Sequence, residues 1–180
     1  TWTVHSLSAL RDLVGALNQV QPFDWASFLR QRLDCTGKVL PEHGIERGGW
    51  KVVYTDTPSD YEQAVARASH SLDLAYSIGA TMSDEGEVSD VQWDGPAYQA
   101  GLVPGMKIVS VNGDDFTADA LKGAIRNAKG GKSSIALGVK YVGTYRTVNV
   151  DYHDGLKYPH LVRIDGTPDY LGDIANAVGG

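Results

Sequence analysis

The sequence predicts an α+β fold: a small β-barrel or β-sandwich capped by two helices, with an N-terminal helical segment before it and a short C-terminal strand–helix tail after it. Within residues 71–151, short apolar runs are separated by glycine-containing turns, a pattern typical of a domain built from short strands. The chain has 21 glycines among 180 residues, and many of them fall at these turns. Its apolar fraction of 42 % is enough to bury a core.

The order of the motifs in the central region indicates a particular domain type. An Ile78-Gly79-Ala80 loop precedes the run GPAYQAGLVPGMKIVSVNG at 95–113, and a helix capped by Thr117 follows a few residues later. This order resembles that of bacterial, protease-associated PDZ domains, which implies a PDZ-like fold over 71–151. The predicted elements are an extended stretch over 72–82, strands over 87–93, 106–111, 134–141 and 144–151, a short helix opened by Gly95-Pro96, and a helix over 118–129.

Residues 1–36 are predicted to form two amphipathic helices. Leucines recur at three- and four-residue spacing in the first helix. Asp24 caps the second, where Trp25 and Phe28 begin an apolar stripe. Two such helices cannot bury their stripes alone, so we expect this segment to be the tail of a further, upstream domain.

The remaining segments connect and extend the PDZ-like domain. Residues 37–70 are predicted to be a linker that contains a strand over 50–55 and a possible helix over 59–69. Residues 152–180 are predicted to form a C-terminal extension packed on the PDZ-like domain, with an extended piece over 161–164 and a final helix.

The loop before the strand at residue 80 is the candidate binding site. Backbone N–H groups of such a loop can hold the carboxylate of a peptide C-terminus, and glycine allows close approach because it has no Cβ. The peptide would lie as an extra strand between the strand after the loop and the helix that starts near residue 118. The candidate carboxylate-binding residues are Tyr76, Ser77, Ile78 and Gly79, and the candidate groove residues are Ala80, Ala118, Leu121, Lys122 and Ile125. The alternative is a closed groove that acts as a spacer or an internal docking surface.

Several chemistries lack their motif in this chain. A net charge of −6 without a basic run argues against nucleic-acid binding. None of the five histidines belongs to an H-E-x-x-H zinc motif, no G-x-S-x-G nucleophile motif occurs, and a single cysteine cannot form an intrachain disulfide. No apolar run of about 18 residues occurs, so no membrane span is predicted. The sequence therefore predicts no catalytic residue, metal site or cofactor within the chain itself.

Three strings outside the PDZ core carry a more specific resemblance. They are DWASFLRQRLD at 24–34, GWKVVYTD at 49–56 and YPHLVRIDGTPD at 158–169. They resemble the C-terminal part of bacterial glycyl aminopeptidases, zinc metallopeptidases in which a PDZ domain follows the catalytic domain. The resemblance implies that the zinc ligands and the catalytic glutamate lie upstream in the parent protein. It also implies a periplasmic or cell-surface location.

The expected function is that of a non-catalytic, PDZ-containing C-terminal fragment of a zinc-dependent aminopeptidase, inactive alone, which serves substrate or peptide engagement or domain organisation. Its expected partners are a peptide or protein C-terminus in the groove and the upstream catalytic domain, contacted through residues 1–36. The alternative is an independent PDZ adaptor that binds protein C-termini. Apolar helix faces that stay exposed would favour the first interpretation, because an adaptor should bury them within its own fold.

Overall fold

A computed structural model of the protein describes residues 5–34 and 43–177. It has the α+β fold that the sequence predicts, and in the described residues the sheets do not close into a barrel. The helices are α1 (His5–Val20), α2 (Trp25–Asp34), α3 (His43–Arg47), α4 (Asp60–Ser69), α5 (Pro96–Gln99), α6 (Ala118–Asn127) and α7 (Tyr170–Ala177). The strands are β1 (Trp50–Thr55), β2 (Ser71–Leu74), β3 (Ala80–Ser83), β4 (Val88–Val91), β5 (Lys107–Val111), β6 (Asp114–Asp115), β7 (Ile135–Tyr141), β8 (Thr144–Val150) and β9 (Tyr158–Arg163).

The chain divides into two units, and the first contains residues 1–51 and 164–180. Its second helix, α2, begins where the sequence predicts, because the Asp24 carboxylate accepts the N–H of Ser27 at 3.0 Å and so caps the helix. This hydrogen bond also lowers the pKa of Asp24. No side chain of α2 is fully buried. Cys35 and residues 37–42 of the predicted linker lie outside the described residues.

The second unit, residues 52–163, contains two antiparallel sheets. One has the strand order β2-β3-β4 and the other the order β6-β5-β7-β8, while β1 pairs with β9. The hairpin β7–β8 turns at Val142 and Gly143, which both have positive φ angles (46° and 76°), as a tight two-residue hairpin turn requires.

The predicted continuous extended stretch over 72–82 is wrong, because this segment forms two strands. β2 and β3 pair as an antiparallel hairpin with Leu72 opposite Met82. The chain reverses because the Leu74 carbonyl accepts the N–H groups of both Ser77 and Gly79, each at 3.0 Å. Gly79 has a φ of +77°, which strains any residue with a Cβ.

Side-chain caps explain where the two longer helices of this unit begin. The Thr117 hydroxyl accepts the N–H of Ala120 at 3.0 Å at the start of α6, as predicted. At α4, Ser59 and Glu62 form a reciprocal capping box, which confirms a helix at the position predicted from 59–69. Both caps satisfy N–H groups that have no partner within the helix.

The hydrophobic core belongs to the second unit. Among the described residues, every fully buried apolar side chain lies between Leu72 and Tyr158. The largest of these side chains are Leu74, Ile78, Met82, Leu102, Ile108, Leu121, Ile125, Ile135 and Leu137. The core therefore includes the turn and the strand that the sequence predicts to form a binding groove.

Candidate functional site

The predicted carboxylate-binding loop is tied by hydrogen bonds inside the protein. The N–H groups of Ser77 and Gly79 both donate to the Leu74 carbonyl, so these two donors already have an acceptor. The Ser77 side chain is buried, and its hydroxyl accepts the N–H of Lys157 at 3.0 Å. Only the Tyr76 side chain is well exposed, and its ring packs against Tyr54 with 5.5 Å between centroids.

The strand edge that a groove peptide would use is already paired. β3 pairs with β4 along one edge and with β2 along the other, where Leu74 lies opposite Ala80. A peptide strand needs a free edge, because its affinity comes from main-chain hydrogen bonds. The place next to β3 that the sequence predicts for a peptide is therefore occupied by β2.

The predicted groove residues lie close together, but mainly as parts of the core. Ile78, Leu121 and Ile125 are 0 % exposed and Ala80 is 1 % exposed, whereas Ala118 and Lys122 are partly accessible. The structure thus has the closed form of the groove, which is one of the two forms that the sequence left open. Binding of a carboxylate at the 76–79 loop stays a prediction.

A cavity of about 470 Å³ runs along β2, within the size range of ligand pockets in proteins. The sequence predicts a helix at α4 but assigns it no part in a site, so prediction from the sequence missed this cavity. The spacing of Tyr61 and Val65 along one side of α4 is the signal that could have revealed it. Its apolar lining is Pro58, Tyr61, Val65, Ala66, Leu72, Tyr158 and Pro159, and its polar lining includes Glu62, Arg67, Ser71, Asp73, Thr81, Lys122 and Lys157.

The two carboxylates of the cavity are already occupied by donors of the protein. The Glu62 carboxylate accepts the N–H of Ser59 at 2.7 Å and its hydroxyl at 2.8 Å. The Asp73 carboxylate accepts the N–H of Ala75 at 2.9 Å and the Thr81 hydroxyl at 3.4 Å. Both carboxylates therefore serve local structure.

The three cations of the cavity differ in their partners. Lys157 pairs with Asp154 at 2.6 Å, and this contact lowers the pKa of the Asp154 carboxyl. For Arg67 and Lys122, the described part of the chain places no carboxylate oxygen within 4.0 Å of the charged nitrogens. Arg67 donates a hydrogen bond to the Gln63 side chain at 3.4 Å. The lining as a whole holds three cations and two carboxylates, so it carries a small excess of positive charge in a chain with a net charge of −6.

The described residues do not fit a zinc site. They contain no group of three or more histidine, cysteine, aspartate or glutamate side chains that could hold a metal ion. His153 hydrogen-bonds to Asp151 at 2.7 Å, and His160 hydrogen-bonds to the Thr57 carbonyl at 2.8 Å. Of the helices described, none is both long and apolar enough to span a bilayer.

The fold and the groove define an α+β protein with a PDZ-like unit whose groove is closed. No protein-family model and no curated protein matches the sequence. Among solved structures, the chain is similar to an aminopeptidase N family protein from Idiomarina loihiensis, with 20 % identity and a TM-score of 0.57 over 88 % of this chain and 27 % of that one. It is also similar to the PDZ domain of HtrA3 bound to a phage-derived ligand, with 16 % identity and a TM-score of 0.33 over 63 % of this chain and 91 % of that one.

These similarities concern the fold. At 20 % identity, the likeness to the aminopeptidase N family protein shows a shared fold and nothing about shared chemistry. The likeness to the PDZ domain is too distant to support an argument. The chain spans about a quarter of the length of the aminopeptidase N family protein, because it covers 27 % of that chain.

Proposed function

We propose that the chain is the non-catalytic, PDZ-containing C-terminal part of a zinc-dependent aminopeptidase of the glycyl aminopeptidase type, where it organises domains. The observation that carries this proposal is the extent of the structural likeness to the aminopeptidase N family protein. It covers 88 % of this chain, which is more than residues 52–163 contain. The likeness therefore extends beyond the PDZ-like unit into its flanks.

The first two helices support a contact with a catalytic domain of the same chain. α2 has no fully buried residue, and Leu13, Val20 and Leu33 are 48 %, 84 % and 75 % exposed. Amphipathic helices of this length are stabilised mainly by packing of their apolar faces. We infer that a catalytic domain covers these faces, and that the protein works in the periplasm or at the cell surface.

The closed groove favours domain organisation over capture of protein C-termini between β3 and α6. An independent adaptor needs an open strand edge, and both edges of β3 are paired within the unit. A C-terminal peptide could use this edge only after β2 had left it. Loss of β2 would expose the buried Leu72 and Leu74 side chains, which is costly.

Zinc analysis of the purified chain tests the catalytic part of the proposal. We expect zinc far below one ion per chain and no release of p-nitroaniline from glycine p-nitroanilide, because the described residues hold no metal-binding cluster. One tightly bound zinc ion per chain, together with hydrolysis, would overturn the proposal.

The gene that encodes this chain supplies the complementary test. The proposal expects an H-E-x-x-H motif upstream of the first residue, and hydrolysis of glycine or alanine p-nitroanilide by the complete gene product. A gene with no such motif would contradict the aminopeptidase assignment. The adaptor interpretation would then be the one to pursue.

A further inference from the structure

The strand that closes the predicted groove presents a new edge. β2 stands at the end of the sheet β2-β3-β4, so β3 is its partner in that sheet. The Asp84 N–H donates to the His70 carbonyl at 2.9 Å, which continues the register in which Ser71 lies opposite Ser83. Hydrogen-bonded pairs alternate in an antiparallel ladder, so Leu72 turns its backbone groups toward β3. Ser71 and Asp73 must then turn their N–H and C=O groups outward.

The outward edge of β2 borders the 470 Å³ cavity, because Ser71 and Asp73 belong to its lining. Tyr61 and Val65 of α4 lie in the same lining and are 77 % and 44 % exposed. An open strand edge beside an exposed apolar helix face is the geometry by which proteins bind extended peptides. The strand supplies hydrogen bonds, and the helix supplies contact for apolar side chains.

The charged side chains of the cavity indicate which kind of peptide it would bind. Its carboxylates, Glu62 and Asp73, accept hydrogen bonds from the protein, whereas Arg67 and Lys122 have no carboxylate within 4.0 Å in the described part of the chain. Lys122 is only partly exposed, so its charge is less screened than that of a fully exposed lysine. A ligand with a carboxylate complements these two cations.

We propose that this cavity binds an extended peptide that pairs with the outer edge of β2 and places a carboxylate near Lys122 and Arg67. The peptide lies one strand further out than a peptide in the closed groove would lie, and β2 stays in place. The inference concerns residues 52–163 alone and does not depend on an attached zinc enzyme. The short β2 strand offers few main-chain hydrogen bonds, so the binding is weak.

The experiment uses three fluorescein-labelled pentapeptides and the complete chain. The first is SVSVF with a free C-terminus, the second is SVSVF with an amidated C-terminus, and the third is SVSVE with an amidated C-terminus. Fluorescence anisotropy gives their affinities. We expect the first or third peptide to bind more tightly than the second, and the comparison of first with third identifies a terminal or a side-chain carboxylate. Equal affinity of all three peptides, or no binding of any, overturns the proposal.

Two pairs of variants locate the contact. Lys122→Gln should weaken binding of the carboxylate peptide roughly two- to fivefold, the usual effect of a partly exposed ion pair, and Lys132→Gln, which changes an exposed lysine outside the cavity, should not. Asp73→Pro removes the outward N–H, and proline is tolerated on an edge strand with this orientation. Asp73→Ala loses the same side chain but keeps the N–H, so the proline variant should bind more weakly than the alanine variant.

Backbone amide shifts distinguish the outer edge from the closed groove. Binding at the cavity should shift the amide signals of Ser71 and Asp73 and leave those of Ala80 and Met82 nearly unchanged. Shifts concentrated at Ala80 and Met82 would mean that the peptide displaces β2 from β3, and the proposal would be wrong. Circular dichroism of each variant verifies that it is folded.

Discussion

Replacing Leu74 by alanine tests whether β2 is a core element or a loosely held strand that leaves the groove. The Leu74 side chain is 1 % exposed and belongs to the core cluster. Its carbonyl accepts the two N–H groups that form the turn into β3. The substitution removes only side-chain atoms, so the turn hydrogen bonds can persist while the apolar anchor of β2 is lost.

The expected loss of stability follows from the burial of this leucine. Truncation of a buried leucine to alanine costs about 2–5 kcal/mol, since it removes buried apolar area and leaves a cavity. For a chain of this length each kcal/mol lowers Tm by roughly 2–4 °C, so Tm should fall by about 4–20 °C. Urea unfolding and thermal unfolding, both followed by circular dichroism, measure the change.

Leu161→Ala is the matched control, because this leucine on β9 is 49 % exposed. The same atoms are removed there, so a markedly smaller loss is expected. Hydrogen exchange adds a local measurement: the Leu74→Ala chain should exchange the amide hydrogen of Met82, which faces β2, faster than wild type. A loss below about 1 kcal/mol, or one equal to the control, would refute the view that β2 is anchored in the core.

Two further predictions concern a close backbone approach and a titrating histidine. Gly86→Ala should lower the free energy of unfolding by about 1–3 kcal/mol more than Gly113→Ala does. Both glycines have positive φ, but only at Gly86 would the new Cβ lie 2.6 Å from the Ile108 carbonyl oxygen. Equal urea midpoints for the two variants would contradict this prediction. The hydrogen bond to Asp151 raises the pKa of His153 in the folded protein. Protonated His153 therefore stabilises the fold fully below the unfolded pKa of about 6.5, and this contribution is lost as the pH rises through the raised pKa. His153→Gln should therefore lower the free energy of unfolding more at about pH 5.5 than at about pH 8.5, and a pH-independent difference would refute the reasoning.

Features of the fold that depend on neighbouring residues could be predicted from the sequence. Thr117 caps α6 and Asp24 caps α2, since a side-chain oxygen at such a position can reach N–H groups two or three residues ahead. The turn between β7 and β8 falls at Val142 and Gly143, between two alternating strands of equal length. Each of these features is determined by residues close together in the chain.

The division of 72–82 into two strands could not be predicted in the same way. Residues 72–78 contain no glycine, proline or asparagine, and the one acidic turn former among them is Asp73, whose carboxylate accepts the N–H of Ala75 two residues ahead. The turn depends on backbone bonds from Ser77 and Gly79 to the Leu74 carbonyl, which side-chain patterns do not specify. Buried strand residues and groove residues also look alike in a sequence, so Ile125 and Leu121 could not be assigned to the core rather than to a groove.

The charge of the cavity was hidden in the sequence for a different reason. The chain has a net charge of −6, which favours no anionic ligand. In the structure, the two carboxylates of the cavity accept hydrogen bonds from the protein itself: Glu62 caps α4, and Asp73 stabilises the turn after β2. A local site for a carboxylate can still exist in an acidic protein, because the lining of the cavity holds three cations and two carboxylates although the whole chain has a net charge of −6.

Closure of the groove by β2 and availability of a peptide site are compatible. A strand that pairs with the edge of a sheet does not abolish the edge but moves it outward by one strand spacing, about 4.8 Å. At the closed groove the next edge is that of β2, and the helix opposite it includes Tyr61 and Val65 of α4 rather than the buried apolar face of α6. Lys122 of α6 still lines the space, since it lies on the partly accessible side of that helix. The residues proposed to recognise a peptide are then those of α4 and β2 together with Lys122 of α6, and the 76–79 loop acts as the turn that holds β2 in place.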